Sequence, residues 1–246
     1  MINKNFLHWQ KDFQKLTSPA YWELNDMIIA IDGPSASGKS TTAKAVSKRL
    51  GFVHLDTGAM YRAVTLGISE AKIEPNNHNK VKLYLKSLKI EFDQNDHIVL
   101  NGKNVTDSIR TVKISSNVSK VSAILEVREK MVQVQRNIAG DNNCVLEGRD
   151  IGTVVFPNAD FKFFLIADIT IRAKRRFSDL QESNEPLPLN ELIESIRKRD
   201  ELDSKRDISP LMKAKDAIVI DKSFLTIEQQ VNRIVEIVKQ NKKKET

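Results

Sequence analysis

The chain has 246 residues, of which 40% are hydrophobic and 29% charged, and carries a formal net charge of +7. That length and apolar content suffice for one α/β domain with an insertion, and they exclude a disordered or fibrous chain. No apolar run approaches the roughly 18 to 20 residues that span a bilayer, and residues 1–26 lack the apolar core and cleavage site of a signal peptide, so a soluble, cytoplasmic protein without a membrane partner is expected.

The first 26 residues carry both tryptophans, Trp9 and Trp22, and read as an accessory or poorly ordered extension ahead of a domain beginning at Met27. From there the pattern is a strand over 27–32, a glycine loop over 33–38, a helix over 39–50 and a short strand over 52–55, with Tyr61 and Arg62 opening another helix. Strands alternating with helices imply a parallel sheet. Between about 88 and 112 the pattern changes: "IEF" and "HIVL" read as short antiparallel strands set off by "DQND" and "NGK", a small β insertion. Helical periodicity resumes in "NVSKVSAILEVREKMVQVQRNIAG", with Val118, Val121, Ile124, Leu125 and Val127 or Arg128 on one face before Gly140 ends it. "NCVLEGRD" and "FKFFLIA" read as central buried strands, and lone Cys144 in the first of them as a small buried hydrophobe. Two charged helices follow in "TIRAKRRFSDLQ" and "LNELIESIRKRDELDSKR", then a last strand "DAIVID" and an amphipathic helix "TIEQQVNRIVEIVKQ" that its threonine can cap.

"GPSASGKS", residues 33–40, matches G-x-x-x-x-G-K-[ST] and is set between a strand and a helix, the context that motif needs. Gly33 and Gly38 let the backbone of Pro34, Ser35, Ala36 and Ser37 curl so that its N–H groups cradle phosphate. Lys39 reaches the terminal phosphates, Ser40 can ligate Mg²⁺, and the helix presents its positive end through Thr41. The loop specifies a nucleoside triphosphate and leaves the reaction open. An acceptor that already carries a phosphate needs converging cations, and the planar fork of arginine matches phosphate oxygens. Such arginines stand in short motifs: Arg62 in "DTGAMYR", Arg149 in "EGRDIGTVVFP", Arg199 and Arg206 in "RDELDSKRDISPL", and Arg172, Arg175 and Arg176 in "IRAKRR".

In this order these motifs, with "PLMKAKDAIVID", closely resemble the bacterial cytidylate kinase family from about Met27 to Val238. The resemblance implies a P-loop α/β fold of the nucleoside monophosphate kinase type: a kinase domain over 27–240, a monophosphate-binding insertion over about 62–135, a helical lid over about 172–207, and a basic tail at 241–246. It implies phosphorylation of CMP and dCMP from ATP, with Mg²⁺ on Ser40. Carried across, it sets Arg62, Arg149 and Arg206 on the CMP phosphate and Arg199 with Asp203 on the sugar. Ser119, Arg128 and Asp150 fall at the cytosine, and Thr57 near the monophosphate or base. Lys39, Arg149, Arg199 and Arg206 are then the catalytic cations, and Arg172 and Arg176 of the lid cover ATP.

Three positions depart from the pattern. Glu147 stands where many relatives have aspartate, and Leu202 and Ser204 leave the lid less basic. Ser119 and Arg128 sit in an amphipathic helix, where polar residues ordinarily face water, and Asp203 could serve as an i,i+4 partner of Arg199. His54 reads as structural, and the four histidines show no metal-ligand spacing. A monomer acting on ATP, CMP and dCMP, without nucleic acid, is the expectation. The rivals are another P-loop small-molecule kinase, or a nucleic-acid-binding ATPase motivated by the basic charge.

Overall fold

"IIAID" at residues 28–32 is apolar on both faces, as a strand buried between two helical layers must be. In a computed structural model, which describes residues 27–140, 142–182 and 187–242, Ile28–Asp32 forms β1 at the centre of a five-stranded sheet. The extension over 1–26, the middle of the loop at 183–186 and the end of the basic tail at 243–246 lie outside the described residues.

The described chain divides into two bodies, one of residues 57–140 and one of 27–56 and 142–242. The second holds the parallel sheet. Its strands are β1, β2 (Val53–Asp56), β6 (Cys144–Gly148), β7 (Phe161–Ile166) and β8 (Ile218–Asp221), in the order β2-β6-β1-β7-β8. β1 pairs with β6 in the register Ile28 to Cys144 and Asp32 to Gly148, and with β7 from Ile29 to Phe161. All neighbours are parallel, so the carboxyl ends of the strands share one edge, where ligands of open α/β sheets bind. Ile29, Ile31, Leu146, Phe163 and Leu165 fill the core of this sheet.

Four helices of this body matter for the site. α1 (Lys39–Leu50) follows the phosphate loop, α6 (Ile169–Glu182) and α7 (Leu189–Lys205) are the charged pair, and α8 (Ile227–Lys242) closes the chain. The expected threonine cap on α8 is a reciprocal one: Gln229 N donates to Thr226 Oγ1 at 3.2 Å, and Thr226 N donates to Gln229 Oε1 at 2.9 Å. One residue further on, buried Gln230 accepts a hydrogen bond from Thr42 of α1 at 3.0 Å. The cap of the last helix therefore sets the position of the helix that carries Lys39 and Ser40.

The first body comprises α2 (Thr57–Glu70), α3 (His78–Ser87), α4 (Val112–Ser122), α5 (Leu125–Ala139) and an antiparallel sheet of β3 (Ile90–Phe92), β4 (Ile98–Leu100) and β5 (Lys103–Asn104). The two expected insertion strands pair as read, with β5 added. α2 begins at Thr57, directly after β2, rather than at Tyr61. The periodic stretch expected to present one face is two helices. Ile124 takes an extended ψ of 126° between them, so Val118 and Val121 are buried from α4 and Val127 and Met131 from α5, while Leu125 turns outward.

Thr226→Ala removes one half of the reciprocal cap. We expect it to lower unfolding free energy by about 1 kcal/mol, read as a shift in the urea midpoint at constant slope.

Candidate active site

The phosphate loop leaves β1 through Gly33 (φ 152°), where a Cβ would lie 2.2 Å from the backbone oxygen of Leu165 on β7. Only glycine lets the loop pass that close to the neighbouring strand. Ala36 (φ 55°) and Gly38 (φ 75°) take left-handed angles on either side of Ser37, curling the loop before α1. Lys39 lies back along it, its Nζ donating to Pro34 O at 2.8 Å and to Ser37 Oγ at 3.3 Å. Burial, and after it the charges of Arg149 and Arg199, hold the Lys39 ammonium well below its usual range, against the opposing pull of Glu147 and Asp32. A buried lysine facing other cations is prepared to take an anion.

Ser40 Oγ donates to Glu147 Oε2 at 2.7 Å, and His54 Nε2 lies 3.2 Å from Glu147 Oε1. The histidine read as structural thus orients the carboxylate that faces the loop. Asp32 ends β1 and accepts from Ile151 N at 2.9 Å and Gly152 N at 2.8 Å, anchoring the turn Ile151–Val155 that follows Arg149 and Asp150. Burial pushes the Asp32 carboxyl up to about 6, although both backbone donors oppose the shift.

The arginines gather around buried carboxylates. Arg149 Nε donates to Asp203 Oδ2 at 2.9 Å. Burial alone would raise Asp203, yet the charges of Arg149, Arg199 and Arg206 hold it below the usual carboxylate range. The Asp203 carboxylate, expected as an i,i+4 partner of Arg199, feels that arginine's charge and also reaches Arg149, the residue after β6. Arg206 Nη2 lies 3.6 Å from Asp150 Oδ1, both side chains buried, and its Nε donates to Ser209 O at 2.5 Å. Arg149, Asp150, Arg199, Asp203 and Arg206 are therefore brought together.

Arg172, expected over ATP, contacts the phosphate loop itself. Its Nη1 donates to Asp200 Oδ2 at 2.5 Å and to Ser35 O at 2.9 Å, and its Nε to Ala167 O at 3.1 Å. Asp200 Oδ1 in turn accepts from Ser35 N at 2.8 Å. Arg172 and Asp200 clasp the loop to α6 and α7. Arg176 stays half-buried on α6, and it is Arg175, one residue earlier, that approaches Gly38. Asp32 and Asp200 gave little signal in sequence, being a charge at the end of an apolar run and one charge among many on a charged helix.

In the first body Ser119 and Arg128 are both buried, against the ordinary expectation for polar residues of an amphipathic helix. The Arg128 guanidinium stacks over Tyr61 at 5.3 Å from the ring centre, and its Nη1 donates to Ser122 O at 3.4 Å. Thr57 is buried at the start of α2, and Arg62 is half-buried one turn on.

A phosphate loop at the carboxyl edge of a parallel sheet, with buried arginines instead of a nucleophile and base, defines a P-loop phosphotransferase of the nucleoside monophosphate kinase type. The family model described as cytidylate kinase matches residues 29–240. The cytidylate kinase of Acholeplasma laidlawii is 45% identical over 214 residues, covering 87% of this chain and 96% of that protein. That of Lactobacillus gasseri is 46% identical over 220 residues, covering 88% and 96%. That of Clostridium botulinum strain Okra is 44% identical over 216 residues, covering 88% and 99%. The chain belongs to the cytidylate kinase family. No helix among the described residues is long and apolar enough to cross a membrane.

Asp32 yields a pH prediction. Its folded value of about 6 lies above the ordinary 3.8, so the native state binds the proton first as pH falls. The cost of the buried charge is full above pH 6 and is relieved between pH 6 and 4. The parent should therefore gain stability from this group across that window, on the order of 3 kcal/mol. Asp32→Asn should remove that slope, as read from urea midpoints of both proteins at pH 4 to 7.

Proposed function

We propose that this chain transfers the γ-phosphoryl group of ATP to CMP and dCMP, giving CDP and dCDP. Family membership supports the reaction class and the two substrates' chemistry. The observation that carries the assignment of residues is the cluster of Arg149, Arg199 and Arg206 around buried Asp203, electrically coupled to Lys39 of the phosphate loop. Two polyanions must meet for transfer, and these cations offset their repulsion.

Lys39 holds the terminal phosphates of ATP, with the loop from Gly33 to Thr41 around the chain. Arg62, Arg149 and Arg206 hold the CMP phosphate, while Arg199 and Asp203 hold the sugar. Asp203 keeps its charge because three arginines surround it, so it stays an acceptor for a ribose hydroxyl. No side-chain base enters, since the attacking phosphate oxygen is already ionised. Ser40 and, through a coordinated water, Glu147 fit Mg²⁺: they pair a hydroxyl with a carboxylate 2.7 Å away, the hard oxygen donors that this ion takes alongside substrate phosphates. When bound, that ion neutralises charge on the phosphate chain.

Ser119, Arg128 and Asp150 read cytosine, with Thr57 at the monophosphate or base. Cytosine offers an amino donor to the Asp150 carboxylate and acceptors to Arg128 and Ser119, whereas uracil sets an acceptor against the carboxylate. Arg206, 3.6 Å from Asp150, orients it. Closure of the lid over about 172–207 excludes water and suppresses ATP hydrolysis. The enzyme works as a cytoplasmic monomer on free nucleotides and needs no nucleic acid.

ADP formation from ATP, assayed with CMP, dCMP, UMP, AMP or RNA supplied separately, tests the acceptor. CMP and dCMP should support turnover well above the other three; stimulation by RNA alone would replace this reading with a nucleic-acid-dependent ATPase. Arg206→Met should weaken use of CMP by about 2 to 5 kcal/mol in kcat/KM, with ATP affinity nearly unchanged in equilibrium titration. Asp150→Ala should narrow the preference for CMP over UMP.

A further inference from the structure

Lys222 follows the last residue of β8, and its side chain is 2% exposed. Its backbone is paired, N–H to Ile166 O at 3.0 Å, but among the described residues no acceptor takes a hydrogen bond from its ammonium. On α6, Arg175 Nη1 is buried without a hydrogen-bond partner. Both converge on one point of the phosphate loop. A Cβ built on Gly38 would lie 2.0 Å from Lys222 Nζ and 3.9 Å from Arg175 Nη1.

Gly38 is the residue from which α1, twelve residues long, begins. The site thus joins two cations to the positive end of a helix. Among the described residues no ion pair to a carboxylate is seen for either one, and a buried charge without a partner is costly. Burial, and then the Arg175 charge, lower the Lys222 ammonium to about 8. An anion at Gly38 would satisfy all three groups at once.

We propose that Lys222, with Arg175, forms a phosphate subsite at the Gly38 end of the loop that holds the inner, nucleoside-side phosphates of the donor. This rests on the ATP reading above and adds to it a division of labour. Lys39 serves the terminal phosphates, where charge moves during transfer; Lys222 serves phosphates that the transfer leaves in place. An interaction equally strong in the ground and transition states sets KM and leaves kcat alone. Lys222 is therefore a determinant of donor affinity, and its charge is a cost to the empty protein that the nucleotide offsets. A lysine whose folded value lies below 10.5 destabilises the native state fully below pH 8, with relief as pH rises from 8 toward 10.5.

The test is Lys222→Met, which keeps the stem of the side chain, alongside Lys222→Arg. In Lys222→Met we expect KM for ATP to rise about tenfold, with kcat at saturating ATP within about twofold and KM for CMP unchanged. Equilibrium titration should show the same loss for ADP and for inorganic tripolyphosphate, and Lys222→Arg should recover most of it. Without nucleotide at pH 7 the Met variant should melt at or above the parent temperature, and its stabilisation by ATP should be smaller. Three outcomes would overturn the subsite: unchanged ATP affinity, a loss for ATP with tripolyphosphate binding intact, or a lower melting temperature of the empty variant with affinity retained. A parent protein that binds ATP but does not use CMP would sink the proposed reaction and leave the subsite standing.

Discussion

Cations packed on one edge of a sheet repel one another, and in this protein buried carboxylates hold them in place. Asp203 anchors Arg149 by a hydrogen bond and bears the charges of Arg199 and Arg206. Asp150 faces Arg206, and Asp200 takes both Arg172 and the Ser35 backbone. Removing Asp203 would take from Arg149 its hydrogen-bonded carboxylate in a largely buried setting, a larger penalty than the loss of a surface ion pair.

The parallel sheet makes this clustering possible. Pairing Asp32 with Gly148 in register puts the residues that follow β1 and β6, the phosphate loop and Arg149 with Asp150, side by side. β8 ends at the same edge and delivers Lys222 to the loop from its other side. Asp32 ties the arrangement together by accepting two backbone N–H groups of the turn after Asp150, which fixes the direction in which that residue and Arg149 leave the strand. The cost appears in its raised proton affinity.

The helices α6 and α7 illustrate how one motif divides between structure and ligand. Of the three arginines in "IRAKRR", Arg172 bonds Ser35 and Asp200, joining α6 and α7 to the loop, while Arg175 turns to Gly38. Helical spacing separates such neighbours onto different faces, so a run of like residues in sequence need not be a run of like roles. Glu147 shows the converse: its extra methylene relative to aspartate still reaches Ser40, and His54 on the adjacent strand steadies it.

The sequence by itself determined the class of fold, the phosphate loop and most of the cluster around it. Each rests on a short-range pattern: the alternation of apolar strands with helices, the G-x-x-x-x-G-K-[ST] spacing, and the clustered R-D-x-x-D-x-x-R of α7. The small antiparallel sheet was legible too, through its turns. Tertiary structure alone decided the partners. Asp203 had a plausible mate four residues away in Arg199, and the fold adds Arg149 from 54 residues away, a long-range partner that helical spacing does not encode. Spacing alone did not disclose the burial of Ser119, since a helical wheel counts a serine as outward; for it and Arg128 only the resemblance pointed inward, and in the fold Arg128 stacks on Tyr61. The break at Ile124 left no mark because neither glycine nor proline signals it. Lys222 was one lysine among many in a basic chain; its place against Gly38 comes from β8 joining the edge beside β7, a long-range pairing that no local spacing encodes.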